Sequence, residues 1–204
     1  MEVLITGFSP FDGRLRNASW VAAQSLQTQP YVSVLELPVV WGAPRIKLQP
    51  VCETACPSVI IGMGEGKEGA FAIETVAQNA RASRRDNLAN LPFYPLIDPQ
   101  GPTQQRASVD ADRLHQYLTE QHWPVRVSTT AGAFLCEETL YTLESLRAQH
   151  EPLKTVLFVH LPPYGSQLQV NQVNRRCDTQ LLSAFAAHLH RAVLDIHAQT
   201  HGNT

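Results

Sequence analysis

Charge is scarce in this chain. Asp, Glu, Lys and Arg make up 17% of its 204 residues, where ~25% is usual. Net charge at pH 7 is −2 and no basic stripe occurs, which argues against nucleic acid and anionic membrane surfaces as partners. No apolar run approaches the ~20 residues of a membrane span. The opening Met1-Glu2-Val3-Leu4-Ile5-Thr6-Gly7 has neither the basic region nor the long apolar stretch of a signal peptide. It reads as a strand. Four irregularly spaced cysteines, Cys52, Cys56, Cys136 and Cys177, do not make a disulfide framework. Together these absences predict a cytoplasmic protein with reduced thiols. Without a repeat, low-complexity tract or linker, the expectation is one domain over residues 1–204.

What is present is an ordinary hydrophobic fraction of 44%, arranged in short β-branched runs that alternate with helix-length segments. That alternation predicts an α/β fold, a three-layer α/β/α sandwich with a mainly parallel central sheet. Strands are expected at Val3–Thr6, Val32–Leu37, Val59–Gly62, Val125–Ser128 and Lys154–His160. Helices are expected at Ala18–Gln27, Arg45–Thr54, Ser108–Gln121, Ala133–Gln149 and from about Gln169 to His197. Asn17 or Ser19 suits the cap of the first helix and Ser108 that of the third. Residues 62–105 show little periodicity: a Gly-rich stretch leads to Arg81, Arg84 and Arg85 and then to Pro92, Pro95, Pro99 and Pro102. So long an irregular stretch in a compact domain is usually functional or mobile.

Several constellations carry chemistry on paper. Gly64-Glu65-Gly66-Lys67-Glu68-Gly69 has the spacing of a dinucleotide fingerprint, with Asp86 at about the distance of a ribose contact. It lies far from the first βα turn, and Glu65 and Glu68 would oppose a pyrophosphate. A structural glycine loop is the stronger reading. Cys52 and Cys56 lack a second Cys/His pair at zinc spacing. His188, His190, His197 and His201 crowd the last helix with no carboxylate beside them, so surface histidines are expected and no metal site. No cofactor is implied.

Cys136 stands apart. It follows the strand ending at Ser128 and begins a helix, where the positive end of the helix dipole favours a thiolate. Ala131-Gly132 upstream permits a tight turn whose backbone N–H groups would serve as an oxyanion hole. Glu137 and Glu138 complement the dipole but oppose thiolate formation. His160 ends the apolar strand before Pro162-Pro163, at the edge where open α/β sheets gather reactive groups. Glu74, in an apolar stretch beyond the glycine loop, is the best placed carboxylate to hold an imidazole tautomer, and a surface glutamate on a short helix is the competing reading.

Taken together, these segments resemble the pyroglutamyl peptidase I, or pyrrolidone-carboxylate peptidase, family of cysteine peptidases. Thr6-Gly7-Phe8-Ser9-Pro10-Phe11-Asp12-Gly13 is similar to the family's T-G-F-x-P-F-x-G opening, with Asn17-Ala18-Ser19-Trp20 at the family's spacing. Ala131-Gly132-Ala133-Phe134-Leu135-Cys136 resembles the nucleophile motif and Phe158-Val159-His160-Leu161-Pro162-Pro163 the histidine motif. The likeness runs from residue 2 to about residue 170. It implies Cys136 as nucleophile, His160 as general base and acid, and Glu74 as the group orienting His160. Phe8 and Phe11 would flank the pyrrolidone ring, with Phe134 and Leu135 completing an apolar pocket and Met63 near the ring. Arg81 or Arg84 would assist the oxyanion. The partner implied is a peptide with N-terminal pyroglutamate, and homo-oligomers are frequent in the family. Where the family pattern has Gln after the first glycine, this chain has Met63, in a rebuilt loop. That departure motivates two alternatives, a thiol amidohydrolase for another lactam or amide and a silent peptide-binding relative.

Overall fold

Aliphatic runs buried on both sides form the middle of the molecule. The computed structural model describes residues 2–202. In chain order these form β1 (Val3–Phe8), α1 (Ala18–Gln24), β2 (Val32–Leu37), α2 (Ala43–Ala55), β3 (Val59–Glu65), β4 (Phe71–Glu74), β5 (Val76–Gln78), β6 (Gln104–Arg106), α3 (Ala111–Glu120), β7 (Val125–Ser128), α4 (Leu135–Gln149), β8 (Thr155–Leu161), β9 (Gln167–Val170), β10 (Val173–Arg176) and α5 (Thr179–His201). Six strands make the central sheet, in the order β2-β1-β3-β8-β4-β7. All neighbours run parallel except β4 and β8, which are antiparallel. The sheet is therefore mixed and mainly parallel.

Successive residues of a strand face opposite sides, and here each side has its own core. Val3, Ile5, Ile61, Met63, Ile73, Leu157 and Val159 pack with α1, α3 and α5. Leu4, Ile60, Val156 and Phe158 pack with α2 and α4. The chain is thus an α/β/α sandwich. Among the described residues, no helix is long and apolar enough to cross a membrane.

Three expectations need correction. The irregular stretch 62–105 conceals a central strand, β4, because four residues between a turn and the short strand β5 are too few to show a period. Its carboxyl end does not lie at the edge shared by β3 and β8. Running antiparallel, β4 places Glu74 beside Phe158 and Ala72 beside His160. The expected long helix from Gln169 starts ten residues later, at Thr179, because β9 and β10 form a hairpin first. Its turn residues Asn171 and Gln172 both have positive φ, 50° and 62°, as a two-residue hairpin turn requires. Ser108 does not cap α3: Asp110 does, accepting from Arg113 N, while Ser108 donates its backbone N–H to Glu144 at 2.7 Å. On α1 the cap is Asn17.

The histidines of α5 are also less exposed than expected. His197 is buried, with Nδ1 2.8 Å from Thr155 Oγ1, and His188 Nδ1 accepts from Trp123 Nε1 at 2.8 Å.

Candidate active site

His160 stands next to last in β8, on the sheet face that α4 covers. Cys136 is the second residue of α4, and the two are brought together above β3 by missing side chains. A Cβ on Gly64 would lie 2.7 Å from Cys136 Sγ, and one on Gly66 would lie 2.7 Å from His160 Cβ. These close approaches account for two glycines of the apparent dinucleotide fingerprint, whose stretch ends a strand and turns into β4 rather than opening a helix. The chain enters α4 through Gly132 at φ 91° and Ala133 at φ 56°, and Phe134, at the N-cap, supplies no side-chain acceptor to the helix. First-turn N–H groups of a helix have no intrahelical partner, so they are free to bind an oxyanion.

Glu74 is buried and accepts from His160 Nδ1 at 2.8 Å. A surface glutamate on a short helix is excluded; the residue closes a buried strand. Burial by itself would pull the His160 imidazole down. The Cys136 sulfur and then the Glu74 carboxylate outweigh it and raise the imidazole to about 10. The remaining carboxylates near Cys136 are engaged elsewhere. Glu137 accepts from Gln78 N at 2.6 Å and from Ala133 N at 3.4 Å. Burial pushes its pKa up, and the backbone N–H groups of Gln78 and Ala133 work against that rise. Glu138 is paired with Arg81 and accepts from Gly42 N at 3.1 Å. The two buried thiols sit in unreactive settings: burial raises Cys177 to about 12, and burial together with Cys56 raises Cys52 to about 12.

Cys136, His160 and Glu74 line a cavity of about 570 Å³. Its β1–β2 end is apolar, formed by Phe8, Phe11, Val39, Phe134 and Leu135. Arg84 closes this end, its guanidinium 4.4 Å from the Phe134 ring centroid and 5.8 Å from that of Phe11, within cation–π range. The opening motif holds the wall in place: Ser19 Oγ accepts from Phe8 N at 2.9 Å, and Asn17 Nδ2 donates to Ser9 O at 3.1 Å.

Two expected site residues lie elsewhere. Met63 is fully buried among the core residues beneath α1 and α5 and lines no part of the cavity. Strand alternation turns Gly62 and Gly64 toward α4 and Met63 away. Arg81 is also outside the cavity, held by Glu138 and by Leu96 O at 2.7 Å. Of the two candidate arginines, Arg84 is the one present at the site.

Sequence reasoning missed the residues that place Arg84. Asp86 accepts from Trp41, Leu88 and Asn90 backbone N–H groups, Trp41 Nε1 donates to Arg84 O at 2.9 Å, and Asn87 Nδ2 reaches Pro10 O at 2.9 Å. By sequence alone Glu65 is only a charge that would oppose a pyrophosphate. Its buried carboxylate pairs with Arg14 and accepts from Ala18 N and Tyr164 N, at 2.9 and 3.2 Å. No spacing announces such contacts, since their partners lie up to 99 residues away.

Comparison with known proteins gives a consistent result. A family model described as pyroglutamyl peptidase matches residues 1–193. A pyrrolidone-carboxylate peptidase of Gloeobacter violaceus is 33% identical over 168 residues, 79% of this chain and 82% of the relative. One from Streptomyces coelicolor is 31% identical over 98% of this chain and 93% of its own length. Among solved structures, pyroglutamyl peptidase I of Bacillus amyloliquefaciens superposes with a TM-score of 0.81 at 25% identity, covering 97% of each chain. A mutant pyrrolidone carboxyl peptidase of Pyrococcus furiosus does so with a TM-score of 0.82 at 24% identity, covering 96% of this chain and 99% of that one.

Proposed function

The chain belongs to the pyroglutamyl peptidase family and is a cysteine peptidase that removes N-terminal pyroglutamyl residues; we propose that it does so through Cys136, His160 and Glu74, within one peptidase domain. The observation that carries this mechanism is the buried 2.8 Å contact between Glu74 and His160, with Cys136 against the same imidazole. The pyrrolidone ring of the substrate lies between Phe8 and Phe11, closed by Phe134 and the face of Arg84. A lactam carries no ammonium charge, so an apolar slot suits it.

The Cys136 thiolate adds to the scissile carbonyl, and first-turn N–H groups of α4 hold the oxyanion. Protonated His160 gives its proton to the departing amine as the C–N bond breaks, leaving a thioester. Acylation removes the sulfur charge that raised the imidazole, so neutral His160 is then suited to take a proton from water. Water attack releases pyroglutamate and restores the thiolate and imidazolium. Glu74 holds Nδ1 throughout and keeps Nε2 for these transfers. Another lactam as substrate was motivated by Met63, and a residue facing the core gives that reading no support.

The test is turnover of a chromogenic pyroglutamyl amide. Cys136→Ser is expected to lower kcat/KM by at least ~10³-fold without unfolding the protein, as judged by circular dichroism. Unchanged turnover in that variant removes Cys136 from the mechanism.

A further inference from the structure

Beyond the ring pocket, the cavity continues across the sheet. From His160 the next strands are β4 and β7, and the register sets His160, Ala72 and Arg126 in one row on one face. Two strand spacings separate His160 from Arg126, about 10 Å of backbone. Ala72 between them is buried and lines none of the cavity, but His160 and Arg126 both do, so one cavity reaches both. Arg126, Ser128 and Thr130 line this end, and Lys67 adjoins it beyond the end of β3.

The charge here is unbalanced. Of the acidic groups lining the cavity, Glu65 is paired with Arg14 and Glu74 with His160. Asp12 stands at the β1 end, in the turn after Phe11. Glu68, next to Lys67, lines none of the cavity. Arg126 and Lys67 are exposed, and among the described residues neither side chain forms an ion pair or hydrogen bond. Two cations in a cleft of a chain whose net charge is −2 are a local feature and not a reflection of composition.

Substrate direction follows from the chemistry. With the ring between Phe8 and Phe11 and the scissile bond at Cys136, the amine that takes its proton from His160 leads away from β1, toward β4 and β7. An extended residue advances about 3.5 Å, so a carboxylate on either of the first two residues after pyroglutamate comes within reach of a long basic side chain on β7. We propose that this end of the cavity is the leaving-peptide subsite, and that Arg126 and Lys67 make the enzyme select pyroglutamyl peptides with a carboxylate close behind the scissile bond. That carboxylate is an acidic side chain or the free C-terminus of a short peptide. The proposal rests on the pyroglutamyl peptidase reading of the site.

The experiment compares kcat/KM for two substrate pairs. Pyroglutamyl-glutamate amide against pyroglutamyl-glutamine amide tests a side-chain carboxylate. Pyroglutamyl-alanine against its amide tests a C-terminal one. At least one pair is expected to favour the charged member by about three- to tenfold at low salt, with the preference shrinking as NaCl rises to about 0.5 M. In the double variant Arg126→Met/Lys67→Met both ratios fall to about one, whereas Arg126→Lys retains most of the preference. Each ratio is read within one preparation, so it does not depend on the folded fraction. Ratios near one in the wild-type protein, or a preference that survives the double substitution, overturn the proposal. Failure to turn over all four substrates, the neutral amides included, overturns the pyroglutamyl reading instead.

Discussion

The two ends of the cavity are built by different means. At the β1–β2 end the side chains are aromatic and their positions are fixed by many hydrogen bonds: Asn17 and Ser19 hold the Phe8–Phe11 loop, while Trp41, Asp86 and Asn87 hold the Arg84 loop against it. At the β4–β7 end stand two exposed cations, Arg126 and Lys67, without ion-pair partners among the described residues. The first arrangement suits a rigid ring of fixed shape, because a preformed slot loses little side-chain entropy on binding. The second suits a variable chain, because a long-range charge tolerates many geometries. Cys136 and His160 lie where the two ends meet, so recognition on either side acts on the same bond.

That contrast can be broken at its centre or at one end. The largest effect is expected at the junction. Glu74→Gln keeps the shape but removes the carboxylate that holds His160, and should lower kcat/KM by about 10²-fold or more for every pyroglutamyl substrate alike. It should also change the pH profile. With the imidazole at about 10, its acid role is retained below that pH and lost as pH rises through it. The Glu74 charge is one of the contributions that raise the imidazole, so without it the alkaline limb moves to lower pH. A profile of kcat/KM against pH for the two proteins checks this, and an unmoved limb removes Glu74 from the proton-transfer machinery.

A smaller effect is expected at the apolar end. Phe11→Ala removes one aromatic wall of the cavity, the proposed ring slot, and a fall of about 10- to 100-fold in kcat/KM is expected from the lost aromatic contact. The fall should be the same for acidic and neutral leaving groups, since the cationic end is untouched. A change in that ratio would show that the two ends do not act independently. The smallest effect is expected off the cavity altogether. Met63→Leu conserves volume in the core beneath α1 and α5 and should cost less than about 1.5 kcal/mol of stability in a denaturant titration. KM for a pyroglutamyl amide should stay within about twofold. A large rise in KM would return Met63 to the ring pocket.

Much of the layered fold was legible because long aliphatic strands and capped helices leave local patterns. β2 and β7 fall at the expected residues, β1 and β3 run two and three residues further, and β8 is shifted by one residue. Cys136 and His160 were legible for a similar reason: each ends or begins an element, and each is set in a dense local motif. β4 was not, since its four residues owe their extended conformation to the two strands beside them and not to a period of their own. Residues 169–178 suit a helix on spacing, since Val170 and Val173 stand three apart; instead these two pair across a hairpin that Asn171 and Gln172 close with positive φ. Met63 failed at another level. Its sequence position beside the glycines was right, but a strand sends neighbouring side chains to opposite faces, and the face was set only when β3 took its place between β1 and β8.

The sequence by itself determined the reactive groups and the scaffold type: a thiol at a helix start, an imidazole at a strand end, and apolar runs suited to a sheet covered on both faces. These are short-range properties, written in neighbouring residues. The tertiary structure alone decided that Glu74 meets His160 from an antiparallel strand, that Arg84 and not Arg81 lines the aromatic end of the cavity, and that Arg126 shares a row with His160. Each of these depends on strand order and direction, which are fixed by packing between residues tens of positions apart.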